Sequence, residues 1–94
     1  MNGKKEQKIE SYFNKIAKNK DGFSIKLLPY LQAGLPDRLL LLKTGKFYFV
    51  ELKREKGGVV SPIQKLIFSK LERLGFKVYI LSSYEQIDDF FKNL

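Results

Sequence analysis

Two short apolar runs with acidic residues at facing ends constrain this chain more than any other feature. The first run, Arg38–Leu42, is preceded directly by Asp37. The second run, residues 47–53, carries Glu51 near its end, and residues 43–46 between the runs have the composition of a hairpin turn. An antiparallel hairpin would therefore bring Asp37 close to Glu51 across the strand pair.

This pairing predicts a metal site made of oxygen ligands. Asp37, Glu51 and the backbone carbonyl of Leu52 supply the hard oxygen atoms that Mg²⁺ or Mn²⁺ prefers, with water and phosphate oxygens completing the shell. Lys53 lies two residues after Glu51, so in a strand both side chains leave the same face. A metal ligand and a cation able to handle water would then share one side of the sheet.

Simpler interpretations exist for each of these residues. Asp37 could be a turn aspartate that follows a proline, and Glu51 with Lys53 could be an ion pair on an edge strand. Phe47 and Phe49 share the face of Glu51 and Lys53, however. Charge on a buried aromatic face is costly unless a metal or a partner neutralises it, which favours a functional site.

The chain is strongly basic and lacks two residue types that many catalytic sites need. Its 94 residues contain 18 Lys and Arg against 10 Asp and Glu, a formal net charge of +8, with no Cys and no His. Disulfides, Cys/His zinc sites and Ser-His or Cys-His nucleophile pairs are thereby excluded. The positive field favours a polyanionic partner, although a solvated basic face would have the same composition. No apolar run approaches a membrane span, so we expect a cytoplasmic protein without membrane contact.

Hydrophobic periodicity predicts helices and strands in the order αβββαβα. The first helix should end near Asp21, and the first strand should cover residues 24–28. Ser61 and Gln64 have the spacing of a capping box that opens the second helix, and Gly75 is the expected residue after its end.

The second helix and the strand after it, residues 76–81, predict a parallel crossover. The expected fold class is therefore α/β, with a mixed four-stranded sheet in a three-layer core like that of restriction endonucleases. The apolar residues of the second helix form a stripe that should be buried: Ile63, Leu66, Ile67, Leu71 and Leu74. A last helix, opened by a possible capping box at Ser83 and Gln86, should bury four residues: Ile87, Phe90, Phe91 and Leu94.

Five segments of the chain match one known family. They are residues 8–10 (Lys-Ile-Glu), 34–39 (Gly-Leu-Pro-Asp-Arg-Leu), 49–53 (Phe-Val-Glu-Leu-Lys), 61–64 (Ser-Pro-Ile-Gln) and 71–75 (Leu-Glu-Arg-Leu-Gly). With Lys26, they resemble the virus-type replication-repair nuclease (VRR-NUC) domain, a branch of the PD-(D/E)XK nucleases. The resemblance extends from the first helix to the C-terminus, so we interpret residues 1–94 as one domain of this type.

The resemblance implies a role for individual side chains. Glu51 would be the second metal ligand beside Asp37, and Lys53 would orient or activate the attacking water. Glu10 of the first helix would complete the acidic site as a further ligand, although a glutamate at the rim of an apolar stripe is commonly just solvated. Gln64 would face the active site, although its place in the capping box explains it equally well.

The resemblance also implies a substrate and an assembly. It implies a Mg²⁺- or Mn²⁺-dependent endonuclease for branched DNA, four-way junctions or flaps, acting in viral or phage replication and repair in the host cell cytoplasm. Two symmetric cuts favour a homodimer. The basic residues expected to contact nucleic acid are Lys8, Lys15, Lys26, Arg38, Arg54 and Lys56. The alternatives are a non-catalytic basic nucleic-acid-binding module and a small basic assembly protein of a ribosome or virion, which predicts no site geometry.

Overall fold

Helices and strands follow one another in the predicted order αβββαβα. The computed structural model describes residues 2–28, 30–54 and 58–94, and the side chains of all of these except 2–7. The helices are α1 (Asn2–Asn19), α2 (Pro62–Arg73) and α3 (Tyr84–Lys92). The strands are β1 (Phe23–Lys26), β2 (Arg38–Leu42), β3 (Lys46–Leu52) and β4 (Val78–Leu81), and a short 3₁₀ turn, Lys43–Gly45, joins β2 to β3.

The strands form one mixed sheet in the order β1-β2-β3-β4. The pairs β1–β2 and β2–β3 are antiparallel and the pair β3–β4 is parallel, which confirms the predicted sheet. In the hairpin, Arg38 lies opposite Val50 and Leu42 lies opposite Lys46. This register places residue 37 beside Glu51, at the C-terminal end of β3.

Helices α1 and α3 cover one face of the sheet and form the main core with it. The aromatic rings of Phe13, Phe90 and Phe91 contact one another there, with centroids 5.1–6.3 Å apart. The core residues come from both helices and three strands: Ile9, Phe13, Ala17, Leu40, Val50, Leu52, Leu81, Ile87, Phe90 and Phe91. This dense packing is the main source of hydrophobic stabilisation.

Helix α2 lies on the opposite face and covers it only in part. Gln64 of α2 contacts Glu51. Because successive side chains of a strand point to opposite faces, Glu51 faces away from the core residues Val50 and Leu52. The prediction that α2 buries Ile63, Leu66 and Leu74 is wrong, because all three are exposed. Phe68, which was not among the predicted residues, is the one that is buried. One helix of three turns is too narrow to cover four strands. Leu94, expected to be buried by the last helix, is exposed as well.

The predicted ends of α2 are confirmed in atomic detail. Ser61 Oγ accepts a hydrogen bond from Gln64 N at 3.3 Å, and Gln64 Oε1 accepts one from Ser61 N at 3.1 Å, which completes the capping box. At the other end Gly75 has φ of +95°, and the amides of Gly75 and Phe76 bond back to the last turn. The capping box predicted for α3 forms only in half, because Gln86 Oε1 accepts from Ser82 N rather than from Ser83 N.

Candidate active site

The two predicted carboxylates meet at the hairpin, as expected from its register. Asp37 N donates a hydrogen bond to Glu51 Oε1 at 3.0 Å, and Leu52 N donates one to Asp37 Oδ2 at 2.9 Å. The Glu51 side chain is therefore held by the backbone of Asp37, and the Asp37 side chain is held by the backbone of Leu52, the residue after Glu51. Such reciprocal bonds fix both carboxylates without using all of their lone pairs.

The loop before Asp37 is shaped by a glycine that no other residue can replace without strain. Gly34 has φ of +86°, and a Cβ atom there would lie 2.6 Å from the carbonyl oxygen of Ile63 in α2. Pro36, which follows, is fully buried. The loop is thus packed against the first turn of α2, and this contact places Asp37 and α2 on the same side of the site.

Glu51 is a buried carboxylate that a lysine neutralises. Its exposed fraction is 1 %, and Lys53 Nζ lies 2.8 Å from its Oε2 atom. The Lys53 side chain is itself only 17 % exposed. A charge pair with a buried carboxylate adds little to folding stability compared with an apolar pair of the same size, so packing alone does not explain it.

Gln64 joins the start of α2 to this charged pair. Its Nε2 atom donates to Glu51 Oε2 at 2.8 Å, while its Oε1 atom accepts from Lys53 Nζ at 3.2 Å. The same Oε1 atom also accepts from Ser61 N in the capping box. The two interpretations of Gln64, as a cap and as a residue facing the site, are therefore compatible in one geometry.

The donor set fits a hard divalent cation. Asp37 and Glu51 offer carboxylate oxygens within one hydrogen-bonded unit. The backbone of Leu52, which follows Glu51, is held in place because its N–H donates to Asp37 Oδ2. Within the described ranges no three Asp, Glu, His or Cys side chains lie close enough together to hold a metal ion. A cation here would thus rely on two carboxylates, the Leu52 carbonyl, water and phosphate, a mixture that suits Mg²⁺ or Mn²⁺.

Glu10 is not brought into the Asp37–Glu51 pair. Its carboxylate Oε2 lies 2.9 Å from Arg38 Nη2 and 4.0 Å from Lys26 Nζ. The metal-ligand role of Glu10 therefore stays a prediction. Sequence reasoning missed this ion pair, although Arg38 shares the inward face of β2 with Leu40 and so could have been recognised as a buried arginine.

The basic residues expected to contact nucleic acid occupy different environments. Lys8, Lys15 and Lys26 are exposed and Arg54 is partly buried, while Lys56 lies outside the described residues. Arg38 is buried, so in this conformation its guanidinium holds Glu10 and does not face solvent. The contacts of the exposed lysines and of Arg54 with nucleic acid stay predictions.

Comparisons with known proteins identify the family and the fold. The family model of the VRR-NUC domain matches residues 2–85. The chain belongs to the VRR-NUC family of nuclease domains. A solved structure described as a VRR-NUC domain superposes with a TM-score of 0.86 at 26 % identity, over 94 % of this chain and 95 % of that one. The α/β fold class is thereby confirmed.

A phage protein is similar to this VRR-NUC domain in sequence. "Putative nuclease p44" of Acyrthosiphon pisum secondary endosymbiont phage 1 is 32 % identical over 81 residues, which is 86 % of each chain.

Among the residues that the structure describes, no helix has the length and apolar character that crossing a membrane requires.

Proposed function

We propose that this VRR-NUC domain is a Mg²⁺- or Mn²⁺-dependent endonuclease that hydrolyses phosphodiester bonds in DNA. The observation that carries the proposal is the unit formed by Asp37, Glu51, Lys53 and Gln64, in which two carboxylates and a partly buried lysine converge. The formal charge of +8 supports a nucleic acid substrate. The family and the phage relative support a nuclease.

Each residue has a distinct task in this proposal. Asp37, Glu51 and the Leu52 carbonyl would hold the cation, which when bound supplies positive charge to the phosphate and lowers the pKa of water. Lys53, held by Glu51 and Gln64, would orient the attacking water with its one remaining N–H donor. Gln64 would keep Lys53 and Glu51 in register with α2.

The alternative is a binding module without catalysis. The exposed lysines Lys8, Lys15 and Lys18 of α1 would serve such a module equally well. The proximity of Asp37 to Glu51 counts against the assembly-protein alternative, which gives no reason for two carboxylates to meet. It does not separate a nuclease from a binding module, because only cleavage does so.

Cleavage of a panel of linear, flapped and four-way DNAs, with and without Mg²⁺ and Mn²⁺, tests the proposal. We expect cleavage that EDTA abolishes and that falls by more than about 1,000-fold in Asp37→Asn and Glu51→Gln. Asp21→Asn, at the exposed turn after α1, is the matched control and should cleave normally. Cleavage by Glu51→Gln at the wild-type rate would contradict the metal assignment.

We further propose that the domain acts on branched DNA as a homodimer, in the host cell cytoplasm if it is of phage origin. The incompletely covered α2 face supports a partner, because Ile63, Leu66 and Leu74 of α2 are exposed, and so are Phe47 and Ile80 on the strands. A two-fold axis would present two active sites to a four-way junction, one for each of two symmetric cuts.

Light scattering, together with analysis of nicked products from an intact four-way junction, tests this assembly. Leu66→Gln should shift the protein toward a monomer and replace paired cuts by single nicks. Leu94→Gln, an exposed apolar residue on the α1/α3 side, is the control and should change neither result. A wild-type monomer that still cuts both strands in one encounter would overturn the dimer.

A further inference from the structure

Three phenylalanine rings contact one another near the N-terminal ends of β3 and β4. The ring centroids of Phe47 and Phe76 are 5.8 Å apart, those of Phe49 and Phe76 are 6.0 Å apart, and those of Phe47 and Phe49 are 6.2 Å apart. Phe47 is 44 % exposed and Phe76 is 38 % exposed. Rings that hold one another in place and are still partly open to solvent offer a rigid, flat surface to a further aromatic group.

These rings line an open notch at the edge of the sheet. Strand β4 pairs with β3 only from Phe49 onward, so residues 46–48 of β3 extend past the start of β4. The notch beside them has a volume of about 310 Å³, at the lower end of the range for small-ligand sites, which suits a single planar group. We call it the aromatic notch, and it is lined mainly by Phe47, Tyr48, Phe49, Phe76, Lys77 and Tyr79.

The aromatic notch carries a positive charge. Lys77 is exposed, and its Nζ atom lies 4.9 Å from the centroid of the Tyr79 ring, in a cation–π contact. Among the described residues no carboxylate lines the notch. Aromatic rings with a lysine beside them suit an unpaired nucleotide, because every base has a face that can stack and every phosphate is negatively charged.

The edge strand β4 connects the aromatic notch to the proposed active site. In the register Ile80 of β4 lies opposite Glu51, and it is 46 % exposed. Phe76 precedes Ile80 by four residues, a span of at most about 14 Å along the chain. A DNA strand that is cut at the Asp37–Glu51 pair would therefore reach the notch within a few nucleotides of the cut.

We propose that the aromatic notch binds one unpaired base of the DNA substrate, stacked on Phe76 and Phe47, with a phosphate of the same strand beside Lys77. The inference deepens the proposed nuclease function and rests on it for its ligand. The bases of a continuous duplex are stacked on one another and do not enter such a site without being flipped out. The notch therefore favours DNA with an unpaired segment near the cut, such as a flap, over continuous duplex.

DNA binding in EDTA tests the notch without cleavage. The probes are a duplex with a single-stranded flap, the same DNA with an abasic nucleotide at each of the first flap positions in turn, and the continuous duplex, all measured by fluorescence anisotropy. Stacking of one base on an aromatic side chain contributes roughly 5- to 150-fold in affinity. We expect the wild-type protein to prefer the flapped duplex and to lose affinity in this range at one abasic position.

Variants of Phe76 identify the ring on which this base stacks. Phe76→Ala should lose the same factor on the intact flap, and the abasic nucleotide should then cost nothing further, because base and ring act as one pair. Phe76→Leu, which keeps an apolar side chain, should show the same pattern to a smaller degree, and it decides the inference if Phe76→Ala does not fold. Phe23→Leu is the matched control, because Phe23 is 65 % exposed on the edge strand β1, outside the notch, and should bind flapped DNA as the wild type does.

The salt dependence of flap binding tests the phosphate contact. Lys77→Met should reduce the slope of log K against log salt by about 0.7, the contribution of one phosphate contact to a single strand. An unchanged slope would overturn the placement of a phosphate beside Lys77.

The remaining outcomes separate the inference from the proposed function. Losses from the abasic nucleotide and from Phe76→Ala that simply add would overturn the inference, and so would the absence of either loss. If a second copy of the chain covers the notch instead, Phe76→Ala shifts light scattering toward a monomer and leaves flap affinity unchanged, which also overturns it. Coupling between the base and Phe76 in a protein that cuts no DNA would support the notch and contradict only the nuclease function.

Discussion

The two faces of the sheet in this VRR-NUC domain are built for different purposes. The face under α1 and α3 is sealed by ten core residues from two helices and three strands. The face under α2 is half open, and its most buried polar residue, Glu51, is charged. The fold is therefore stabilised mainly from one side of the sheet, which allows the other side to hold a charged site that costs stability. Arg38 and Glu10 are the exception, because they form an ion pair at one end of the sealed face.

The largest expected difference between the faces is in core packing. Phe13 is 0 % exposed and Phe47 on the α2 face is 44 % exposed. Phe13→Ala should lower the free energy of unfolding by about 3–5 kcal/mol, because it leaves a cavity that the surrounding rings cannot fill. Phe47→Ala makes the same chemical change and should cost roughly a third of that or less. Urea unfolding followed by circular dichroism measures both, and equal losses would contradict the difference between the faces.

The next effect concerns the buried charge on the α2 face. Lys53→Met removes the cation next to the Glu51 carboxylate but leaves the donors Asp37 N and Gln64 Nε2 in place. We expect a loss of about 1–3 kcal/mol in stability at neutral pH, together with loss of cleavage. Lys26→Met, at an exposed position, should cost less than about 0.5 kcal/mol in stability. If Lys53→Met is as stable as Lys26→Met, the Glu51 charge does not depend on Lys53.

A smaller effect separates the cap of α2 from the site. Ser61→Ala removes one half of the capping box and should cost about 1 kcal/mol, whereas Gln64→Ala removes the other half together with a donor to the buried Glu51 carboxylate and should cost more. Only Gln64→Ala also removes the contacts with Glu51 and Lys53, so it should lower the cleavage rate roughly 10- to 100-fold. Ser61→Ala should keep most of its rate. Equal loss of activity in both variants would mean that Gln64 acts only through the helix cap.

The smallest effect lies on the sealed face, between α1 and α3. Tyr12 donates a hydrogen bond to Asp88 Oδ1 at 2.6 Å and stacks on Tyr84. The hydrogen bond to Asp88, followed by desolvation, raises the pKa of the Tyr12 phenol. The stabilisation is therefore fully present below the pKa of the unfolded tyrosine, about 10, and is lost as pH rises through the higher pKa of the folded state.

Thermal unfolding across this pH range measures the effect. Tyr12→Phe should unfold at a slightly lower temperature than the wild type at neutral pH, and the difference should shrink above the usual tyrosine pKa. Tyr30→Phe, on the exposed loop before β2, is the matched control. A difference that stays constant or grows at high pH would show that the bond to Asp88 is not its source.

The features that sequence predicted well are those set by local rules. The meeting of Asp37 and Glu51 follows from the length of one hairpin, and the ends of α2 follow from the capping residues Ser61 and Gln64 and from Gly75. The exposed side of α2 could not be predicted, because periodicity shows which side of a helix is apolar and not what covers it. The Glu10–Arg38 pair joins residues 28 positions apart, and no local pattern specifies such a contact.

The central claim is that Asp37, Glu51 and the Leu52 carbonyl bind a divalent cation. Anomalous diffraction from crystals soaked in MnCl₂ tests it most directly, because the signal locates the ion without reference to activity. The account predicts a peak within about 2.0–2.4 Å of a carboxylate oxygen from both Asp37 and Glu51, and no such peak in Glu51→Gln crystals. A Mn²⁺ ion bound elsewhere, at a concentration that supports cleavage in solution, with this position empty, would contradict the account.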